Sequence, residues 1–327
     1  MQLVINTYGS YLRKKNNCFL VKIKEDGKEK VFEVSVNKVD SILITTSAYI
    51  STDAIKFAVE NNIDIVFLDH FGDPYGRVWH SKLGNTVLIR RKQLEIYNTS
   101  KGFELAKKWN LKKLDNQVNL LKKLKKTRSE KKEELEKYIK KIEDISLRIG
   151  NLKGKVEENR QSLLGLEGTV SRYYFEAINF VLPEKFRFKG RSRMPARDEF
   201  NCLLNYGYGV LYSIVEKACI ISGLDPYIGF IHTDNYNKKS LVFDLIEMFR
   251  IYVDETVLYL FSRKLVKEKY FDKIPNGLSL NKNGKVVLMD YLNRTFEKTV
   301  KYKGRNIRVK NIIPFECHEI ANKLIKS

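Results

Sequence analysis

Apolar residues alternate with polar ones, or form short β-branched runs, over most of the first 80 positions of the chain. Such patterns predict strands that are buried on one or both faces. The predicted strands cover residues 18–24, 30–35, 42–45, 63–69 and 77–80. Residues 25–28 carry an Asp-Gly hairpin signal, and Ser51 and Thr52 are capping residues that start a short helix at 53–60. The sequence therefore predicts a small, mostly β domain over residues 1–82.

Beyond residue 82 the apolar residues recur every three or four positions, which is the spacing of one face of a helix. The first stripe consists of Leu111, Leu114, Val118, Leu121 and Leu124, and the second of Leu135, Ile139, Ile142, Ile145 and Ile149. With the polar break at 127–132, they predict an antiparallel pair of helices on the surface, since each half is too short for the heptads of a coiled coil. The chain is again helical from Leu163. Residues 273–310 hold a candidate hairpin or winged element, with turn signals at 283–285 (Asn-Gly-Lys) and 303–305 (Lys-Gly-Arg). The predicted fold class is α+β, with a larger, all-α domain over residues 83–327.

The charge balance adds a prediction about partners. Sixty Lys and Arg residues against 39 Asp and Glu give a net charge of +21, which favours polyanionic partners such as nucleic acid. With 43% hydrophobic residues the chain has enough apolar material for a core. The sequence shows no membrane-spanning run and no secretory leader, and its four cysteines are widely scattered. These features predict a cytoplasmic protein with reduced thiols.

Three segments concentrate the positive charge. Residues 107–128 hold nine basic residues against one acid, Asp115, and residues 298–310 hold six with no acid. Residues 186–193 interleave two phenylalanines with four cations, which suits a loop that grips phosphate and stacks on a base. Because no base-reading motif is present, backbone and shape contacts are expected. Candidate nucleic-acid-binding residues here are Lys112, Lys113, Lys122, Lys123, Arg187, Arg191 and Arg193.

A few titratable residues stand inside otherwise apolar runs. Glu167 lies between Gly165 and Gly168, and His232 follows the apolar stretch 228–231. Asp244 and Glu247 are spaced to share one face of a helix whose other residues are apolar, and Arg250 follows one turn later. A buried charge needs a partner or a metal, and carboxylates with one imidazole suit a hard divalent cation. The alternative is an ordinary cluster in which Arg250 neutralises the two acids.

Four of these segments together resemble a known family. They are GLEG with YF at 165–175, RDEFNCLLNYGY at 197–208, GLDPYIGFIH at 223–232 and SLVFDLIEMFR at 240–250. In this order and spacing they resemble CRISPR-associated protein one, the integrase-endonuclease of CRISPR spacer acquisition. The resemblance extends over nearly the whole chain. It implies a β N-terminal domain, a helical catalytic domain and a homodimer that acts on double-stranded DNA with a small ferredoxin-like partner, CRISPR-associated protein two.

The resemblance also implies roles for individual residues. Glu167, His232 and Glu247 fall on the family's catalytic metal ligands, with Asp244 as an accessory carboxylate. The family's metal is Mn²⁺ or Mg²⁺, and a histidine ligand tilts the choice toward Mn²⁺. The residues on the helix that borders the site, expected to help position DNA, are Asn201, Tyr206, Arg193 and Arg197. The implied activity is metal-dependent phosphoryl transfer that inserts short DNA into a CRISPR array.

Two rival interpretations remain open from the residues themselves. Tyr173 and Tyr174 follow Glu167 closely, and a tyrosine nucleophile would form a covalent DNA intermediate. Alternatively, the chain is a non-catalytic basic DNA-binding scaffold whose acids only tie helices together. The long charged segment 111–160 also leaves room for an added DNA-binding or partner-docking role.

Overall fold

The computed structural model describes residues 1–25, 27–78, 86–232 and 238–326. The first part of the chain folds into two four-stranded sheets around one helix. Its elements are β1 (Gln2–Ile5), β2 (Ser10–Lys15), β3 (Cys18–Glu25), β4 (Lys28–Ser35), β5 (Ser41–Ile44), β6 (Ala48–Ile50), α1 (Thr52–Glu60), β7 (Asp64–Leu68) and β8 (Pro74–Val78). One sheet has the order β4-β3-β2-β6 and the other β1-β5-β7-β8.

The predicted hairpin and helix of this β-rich part are confirmed. Strands β3 and β4 pair antiparallel with Cys18 opposite Ser35, and Ser51 accepts a hydrogen bond from the amide of Ala54 at 3.2 Å, which caps α1. The alternating pattern did not indicate that β1, β5 and β7 pair in parallel. Strand β5 is buried along its whole length, as expected for the middle of a parallel sheet. The predicted domain boundary after residue 82 lies outside the described residues.

The second part of the chain is mainly helical, which confirms the predicted fold class. Its helices are α2 (Val87–Ile96), α3 (Ser100–Thr127), α4 (Lys132–Gly150), α5 (Val156–Val181), α6 (Glu199–Ile221), α7 (Ser240–Ile246), α8 (Arg250–Ser262), α9 (Lys282–Glu297) and α10 (Val309–Lys326). Two antiparallel hairpins interrupt them. These are β9 (Phe271–Ile274) with β10 (Gly277–Leu280), and β11 (Thr299–Tyr302) with β12 (Arg305–Arg308).

The candidate winged element at 273–310 is thus a pair of hairpins that flank a helix. Residues 283–285 were expected in a turn because they read Asn-Gly-Lys, but they form the first turn of α9. Asn281 caps this helix, since its side-chain oxygen accepts a hydrogen bond from the amide of Gly284 at 3.1 Å.

Helices α3 and α4 form the predicted antiparallel pair. The ammonium of Lys107, near the start of α3, donates to the carbonyls of Gly150 and Leu152 beyond the end of α4. At the other end of the pair, Lys125 and Glu136 form an ion pair of 2.7 Å. The surface location was wrong for α3, because this helix also packs against α2, α5, α7 and α8. It is a central helix, and several of its polar side chains are therefore buried.

Two smaller expectations concern membranes and cysteines. In the part of the chain that the structure describes, no helix is long and apolar enough to cross a membrane. The cysteines are free thiols, and Cys202, Cys219 and Cys317 are buried. Their packing role agrees with the sequence prediction.

Candidate metal site and DNA-binding surface

The acidic residues of the candidate site come from two different helical segments. Glu167 lies within α5, and Glu247 directly follows α7. The glycines on either side of Glu167 are interior residues of α5, within the region from Leu163 that was predicted to be helical. Both glycines are exposed, and nothing lies within 4 Å of where a side chain would begin at either of them.

A lysine from α3 lies between these two carboxylates. The ammonium of Lys113 contacts Oε1 of Glu167 and lies 2.6 Å from Oε2 of Glu247. Arg250 holds the other oxygen of Glu247 at 2.9 Å. The exposed fraction is only 5% for Lys113 and 6% for Glu247. The candidate site is therefore a buried cluster of alternating charges.

Mutual attraction keeps these groups charged despite their burial. Burial alone would raise the pKa of Glu247, but Arg250 and Lys113 outweigh it and lower that pKa to about 2. Burial would likewise lower the pKa of Lys113, and the carboxylates of Glu247 and Glu167 raise it instead. At neutral pH the site therefore contains an ionised Glu247 and a protonated Lys113.

His232 is held in place by Asp244. Its Nδ1 lies 2.7 Å from Oδ1 of Asp244, which also accepts the amide of His232 at 3.0 Å. Oδ2 accepts the amides of Phe230 at 2.6 Å and Ile231 at 3.2 Å. A proton on Nδ1 in this bond leaves the lone pair on Nε2, the arrangement that orients a histidine for metal ligation. The predicted accessory carboxylate therefore fixes the loop and the imidazole.

The predicted ligands border one small cavity of about 10 Å³. That volume is close to the room that a single water molecule needs, so it suits one small ion or water. The cavity is lined by Glu167, His232, Asp244, Glu247, Ala106, Trp109, Asn110 and Ile231. One buried oxygen on it, Oδ1 of Asn110, has no hydrogen-bond partner among the described residues.

These observations decide how well a divalent metal fits. Two carboxylates, an oriented imidazole and an unpaired amide oxygen are suitable donors for Mn²⁺ or Mg²⁺. Even so, no group of three or more His, Cys, Asp or Glu side chains within the described ranges is arranged to hold a metal. The ammonium of Lys113 accounts for this, because it lies between Glu167 and Glu247. The donor set fits the metal once that ammonium moves.

The comparisons with known proteins identify the family. The family model described as CRISPR associated protein Cas1 matches residues 3–294. The chain belongs to the Cas1 family. The CRISPR-associated endonuclease Cas1 1 of Archaeoglobus fulgidus is 36% identical over 98% of this chain and 95% of its own length.

Solved structures show the same architecture for this Cas1 family member. A CAS1 protein from Thermotoga maritima matches with a TM-score of 0.79 and 26% identity, over 99% of this chain and 97% of that one. A casposase bound to integration product matches with a TM-score of 0.84 and 23% identity, over 99% of this chain and 90% of that one. The second likeness is evidence for the fold alone.

Asn201 and Tyr206, which were expected to border the site, lie elsewhere. Asn201 is fully buried at the start of α6, where it accepts a hydrogen bond from Arg191 and donates to the carbonyl of Gly190 at 2.9 Å. Tyr206 is 1% exposed and packs against Gly72 of the β-rich part. Burial raises the pKa of its phenol. Neither residue lines the metal cavity, because α6 directs both side chains into packed interior.

Tyr174 is equally inaccessible, which weighs against a tyrosine nucleophile at that position. Its hydroxyl is buried and donates to Oδ2 of Asp254 at 2.8 Å. Burial raises the pKa of this tyrosine well above its ordinary value. Tyr173 is half-buried beneath the cations of Lys141 and Arg172 and does not line the cavity.

Two of the predicted basic segments meet across a groove of about 640 Å³. Lys112, Lys122 and Lys123 line it from α3, and Lys298 and Lys301 line it from the β11–β12 side. The sequence could not show that segments nearly 190 residues apart would face each other. Lys113 of the same segment does not line this groove, since its ammonium is buried between two carboxylates.

A second cleft, of about 710 Å³, adjoins the candidate site through Arg250, which both lines the cleft and pairs with Glu247. It is lined by further cations, namely Arg191, Arg193, Lys238 and Lys239, and by one acid, Asp73. Arg187 and Arg197 are exposed, as expected for DNA-binding residues.

Sequence reasoning missed the parts played by Asn110 and Lys113. A signal was present, because both follow the three- and four-residue spacing of buried positions on α3. That face reads Phe103, Ala106, Asn110, Lys113, Gln117 and Leu121, and all six are buried. A polar residue at a core position of a helix needs a partner, so these positions were candidates for a site.

Proposed function

We propose that this Cas1 family member is a metal-dependent DNA endonuclease and integrase that inserts short DNA segments into a CRISPR array. The observation that carries this proposal is the single cavity shared by Glu167, His232 and Glu247, beside a cleft lined by cations. The family assignment and the 36% identical relative, named as an endonuclease, support the same activity.

The three residues would hold Mn²⁺ or Mg²⁺, which when bound neutralises charge on a phosphodiester and activates the attacking oxygen. Asp244 keeps the Nε2 lone pair of His232 directed away from the loop, since Asp244 holds Nδ1. Arg250 keeps Glu247 ionised and presents positive charge to the adjoining cleft. Water would be the nucleophile in hydrolysis, and the 3′-hydroxyl of the incoming DNA in integration.

In the integration step, the incoming 3′-oxygen forms a new bond to the phosphorus of the target strand. The bond from that phosphorus to the target strand's own 3′-oxygen breaks, and this oxygen leaves with a proton. The number of phosphodiester bonds is unchanged, so the step needs no oxidant, reductant or nucleotide. The chain supplies charge and position, which are the main protein contributions to phosphoryl transfer.

We infer that DNA affinity comes mostly from the two basic clefts. Lysine and arginine contacts with phosphate provide salt-dependent affinity with little dependence on sequence. The proposed DNA-binding residues on these clefts or on exposed loops are Lys112, Lys122, Lys123, Arg187, Arg191, Arg193 and Arg197. Of these, Arg191 already donates hydrogen bonds to Asn201 and to Asn205, so only part of its guanidinium is available to DNA.

A homodimer and the partner CRISPR-associated protein two remain proposals from the family resemblance. The β-rich part offers a suitable surface for self-association. Strand β4 is an edge strand of its sheet, and Val31 and Phe32 on it are 48% and 50% exposed. These two exposed apolar side chains are candidates for contact with another chain. A cytoplasmic location also stays a prediction.

A nicking and strand-transfer assay tests the proposal. Supercoiled plasmid and a labelled short duplex are incubated with the protein in Mn²⁺, Mg²⁺ or EDTA, with and without the small partner subunit. We expect metal-dependent nicking or joining that Glu167→Ala and His232→Ala lose while their DNA affinity, measured in EDTA, stays near wild type. Loss of DNA affinity together with activity would contradict the assignment of Glu167.

The same assay separates the rival functions. Salt-sensitive binding with no product in either metal, even with the partner subunit, would favour the scaffold. A protein–DNA adduct that survives denaturing electrophoresis would favour a tyrosine nucleophile, and Tyr173 would then be the residue to replace.

A further inference from the structure

Lys113 is the side chain in the candidate site for which the proposed chemistry has no use. Its ammonium is buried and lies 2.6 Å from Oε2 of Glu247 while also contacting Oε1 of Glu167. Those two oxygens belong to the residues that would hold a divalent cation. The lysine therefore brings a positive charge to the same place as the metal.

A metal ion and this ammonium cannot both lie between the two carboxylates. The cavity has room for about one water-sized group, and two cations a few ångströms apart repel strongly in a buried site. Arg250 already pairs with the other oxygen of Glu247 at 2.9 Å, so little of the negative charge of Glu247 remains to offset a further cation. Binding of the metal must move the ammonium of Lys113.

A displaced ammonium needs a new acceptor, because an unpaired buried charge is costly. Oδ1 of Asn110, one turn earlier on α3, is an unpaired acceptor among the described residues, but it is neutral. A DNA phosphate is the stronger partner, since it carries a full negative charge. The side chain of Glu167 is 16% exposed and that of Glu247 only 7%, so phosphate can approach the pair from the side of Glu167.

We propose that Lys113 is a resident cation that the divalent metal displaces, and that a DNA phosphate at the site receives the displaced ammonium. Metal and DNA then bind cooperatively. The metal frees the ammonium of Lys113 to pair with a DNA phosphate, and the phosphate stabilises that displaced ammonium while the metal is bound. By linkage, DNA raises the affinity for metal by the same factor as metal raises the affinity for DNA. This inference rests on the proposed function and adds a device that keeps metal affinity low until DNA is present.

Direct measurement of Mn²⁺ binding tests the proposal without using activity. Free Mn²⁺ is followed by electron paramagnetic resonance during titration of the full-length protein, alone and with a short duplex that lacks 3′-hydroxyls. For wild type we expect DNA to increase Mn²⁺ affinity by roughly tenfold or more, within the usual range of coupling between two ligands. For Lys113→Met we expect similarly tighter Mn²⁺ binding without DNA, and little further gain when DNA is added.

Two variants sharpen the comparison. Lys113→Arg keeps the charge, so its Mn²⁺ affinity without DNA should be no higher than that of wild type. Lys107→Met is the matched control, because Lys107 is also a buried lysine of α3 but pairs with Glu104 and the carbonyl of Leu152. It should leave both the Mn²⁺ affinity and its dependence on DNA unchanged.

The outcomes distinguish this inference from the proposed function. If Glu167→Gln binds Mn²⁺ as well as wild type does, the metal site itself is wrong. If Glu167→Gln weakens binding but Lys113→Met binds Mn²⁺ no more tightly than wild type, only the role of Lys113 is overturned. Circular dichroism checks folding, and Lys113→Gln, which removes the charge but keeps a hydrogen-bond donor, replaces the Met variant if that one does not fold.

Discussion

Two buried charge clusters in this protein contain the same kinds of residues but differ in how completely they are paired. The junction cluster consists of Asp64, Arg77, Glu216, Lys217 and Lys239. The catalytic cluster consists of Lys113, Glu167, Glu247 and Arg250. The first joins the β-rich part to helix α6, and the second borders the cavity of the candidate site.

Every carboxylate oxygen of the junction cluster meets a cation. Asp64 is 1% exposed, with Arg77 at 2.5 Å from one oxygen and Lys217 at 2.8 Å from the other. Glu216 is held by Arg77 at 3.1 Å and by Lys239 at 2.6 Å. Arg77 also donates to the carbonyl of Ser213 at 2.7 Å. The carboxylates are therefore fully paired, as a structural connection between two parts of a fold needs, although Nε of Arg77 is buried without a hydrogen-bond partner.

The catalytic cluster borders a buried acceptor that is left unpaired. Both oxygens of Glu247 lie against cations, but Oδ1 of Asn110 on the same cavity has no hydrogen-bond partner in the described ranges. Burying such a group costs free energy that a purely structural cluster would avoid. The comparison teaches that unsatisfied polarity around a cavity, more than buried charge itself, marks the functional site. Four predictions can break or sharpen this contrast.

The largest effect is expected from Glu247→Gln in the catalytic cluster. Removing one anionic ligand should lower metal-dependent nicking about a thousandfold or more, since a catalytic metal contributes several kcal/mol of transition-state stabilisation. The unfolding free energy should fall as well, because Arg250 and Lys113 lose a buried charged partner, so nicking is compared per folded molecule. Plasmid nicking in Mn²⁺ and chemical denaturation measure the two quantities. Retained nicking would place Glu247 outside the catalytic machinery.

The converse result is expected from Asp64→Asn in the junction cluster. This change leaves Arg77 and Lys217 facing a neutral amide, and breaking a buried ion pair typically lowers the unfolding free energy by about 4 kcal/mol. Nicking per folded molecule should stay close to wild type, because the cluster does not line the metal cavity. Urea denaturation and nicking assays check this prediction. A variant that is as stable as wild type but has lost nicking would contradict the distinction between the two clusters.

A third buried acid, Asp254, tests the cost of burial without a full ion pair. It accepts hydrogen bonds from Tyr174 and Tyr208, yet burial outweighs them and raises the pKa of its carboxyl to about 6. A folded-state pKa above the unfolded value means that stability is fully present below about pH 4 and is lost as pH rises through 6. As the pH rises through this range, the unfolding free energy falls by about 3 kcal/mol because of Asp254.

Asp254→Asn should remove this loss. Relative to wild type, the unfolding free energy of the variant should rise by that amount between pH 4 and pH 7 in urea titrations. Asp115→Asn is the control, because Asp115 is an exposed aspartate whose side chain is 59% accessible. A pH profile that is the same in Asp254→Asn and wild type would show that Asp254 is ionised throughout.

The smallest effect is expected on the surface, from Lys122→Ala. Lys122 pairs with Glu143 at 2.7 Å, and both side chains are nearly half exposed, so the unfolding free energy should change by about 0.5 kcal/mol or less. If Lys122 binds a phosphate, the slope of log affinity against log salt should fall by about 1. Fluorescence anisotropy with labelled duplex at several salt concentrations measures it. An unchanged slope would remove Lys122 from the DNA-binding surface.

Much of the fold could be predicted from local patterns. The β3–β4 hairpin, the caps of α1 and the α3–α4 pair each depend on residues close in sequence, and their periodicities differ clearly. The parallel pairing of β1, β5 and β7 could not be predicted in this way, because it joins strands separated by other elements. The turn expected at 283–285 is not formed, because Asn281, a better capping residue, starts α9 two residues earlier.

The sequence by itself determined the fold class, the Cas1 family and the identity of the acidic and imidazole candidates, because each depends on residue type and spacing. Only the tertiary structure decided what those residues contact. It moved Lys113 from the expected surface to the centre of the site, and it showed Asp244 holding His232. It also brought the basic segments 107–128 and 298–310 to one groove. The physical reason is that burial and charge pairing depend on which helices pack together, and a side chain's role changes with the partner it meets.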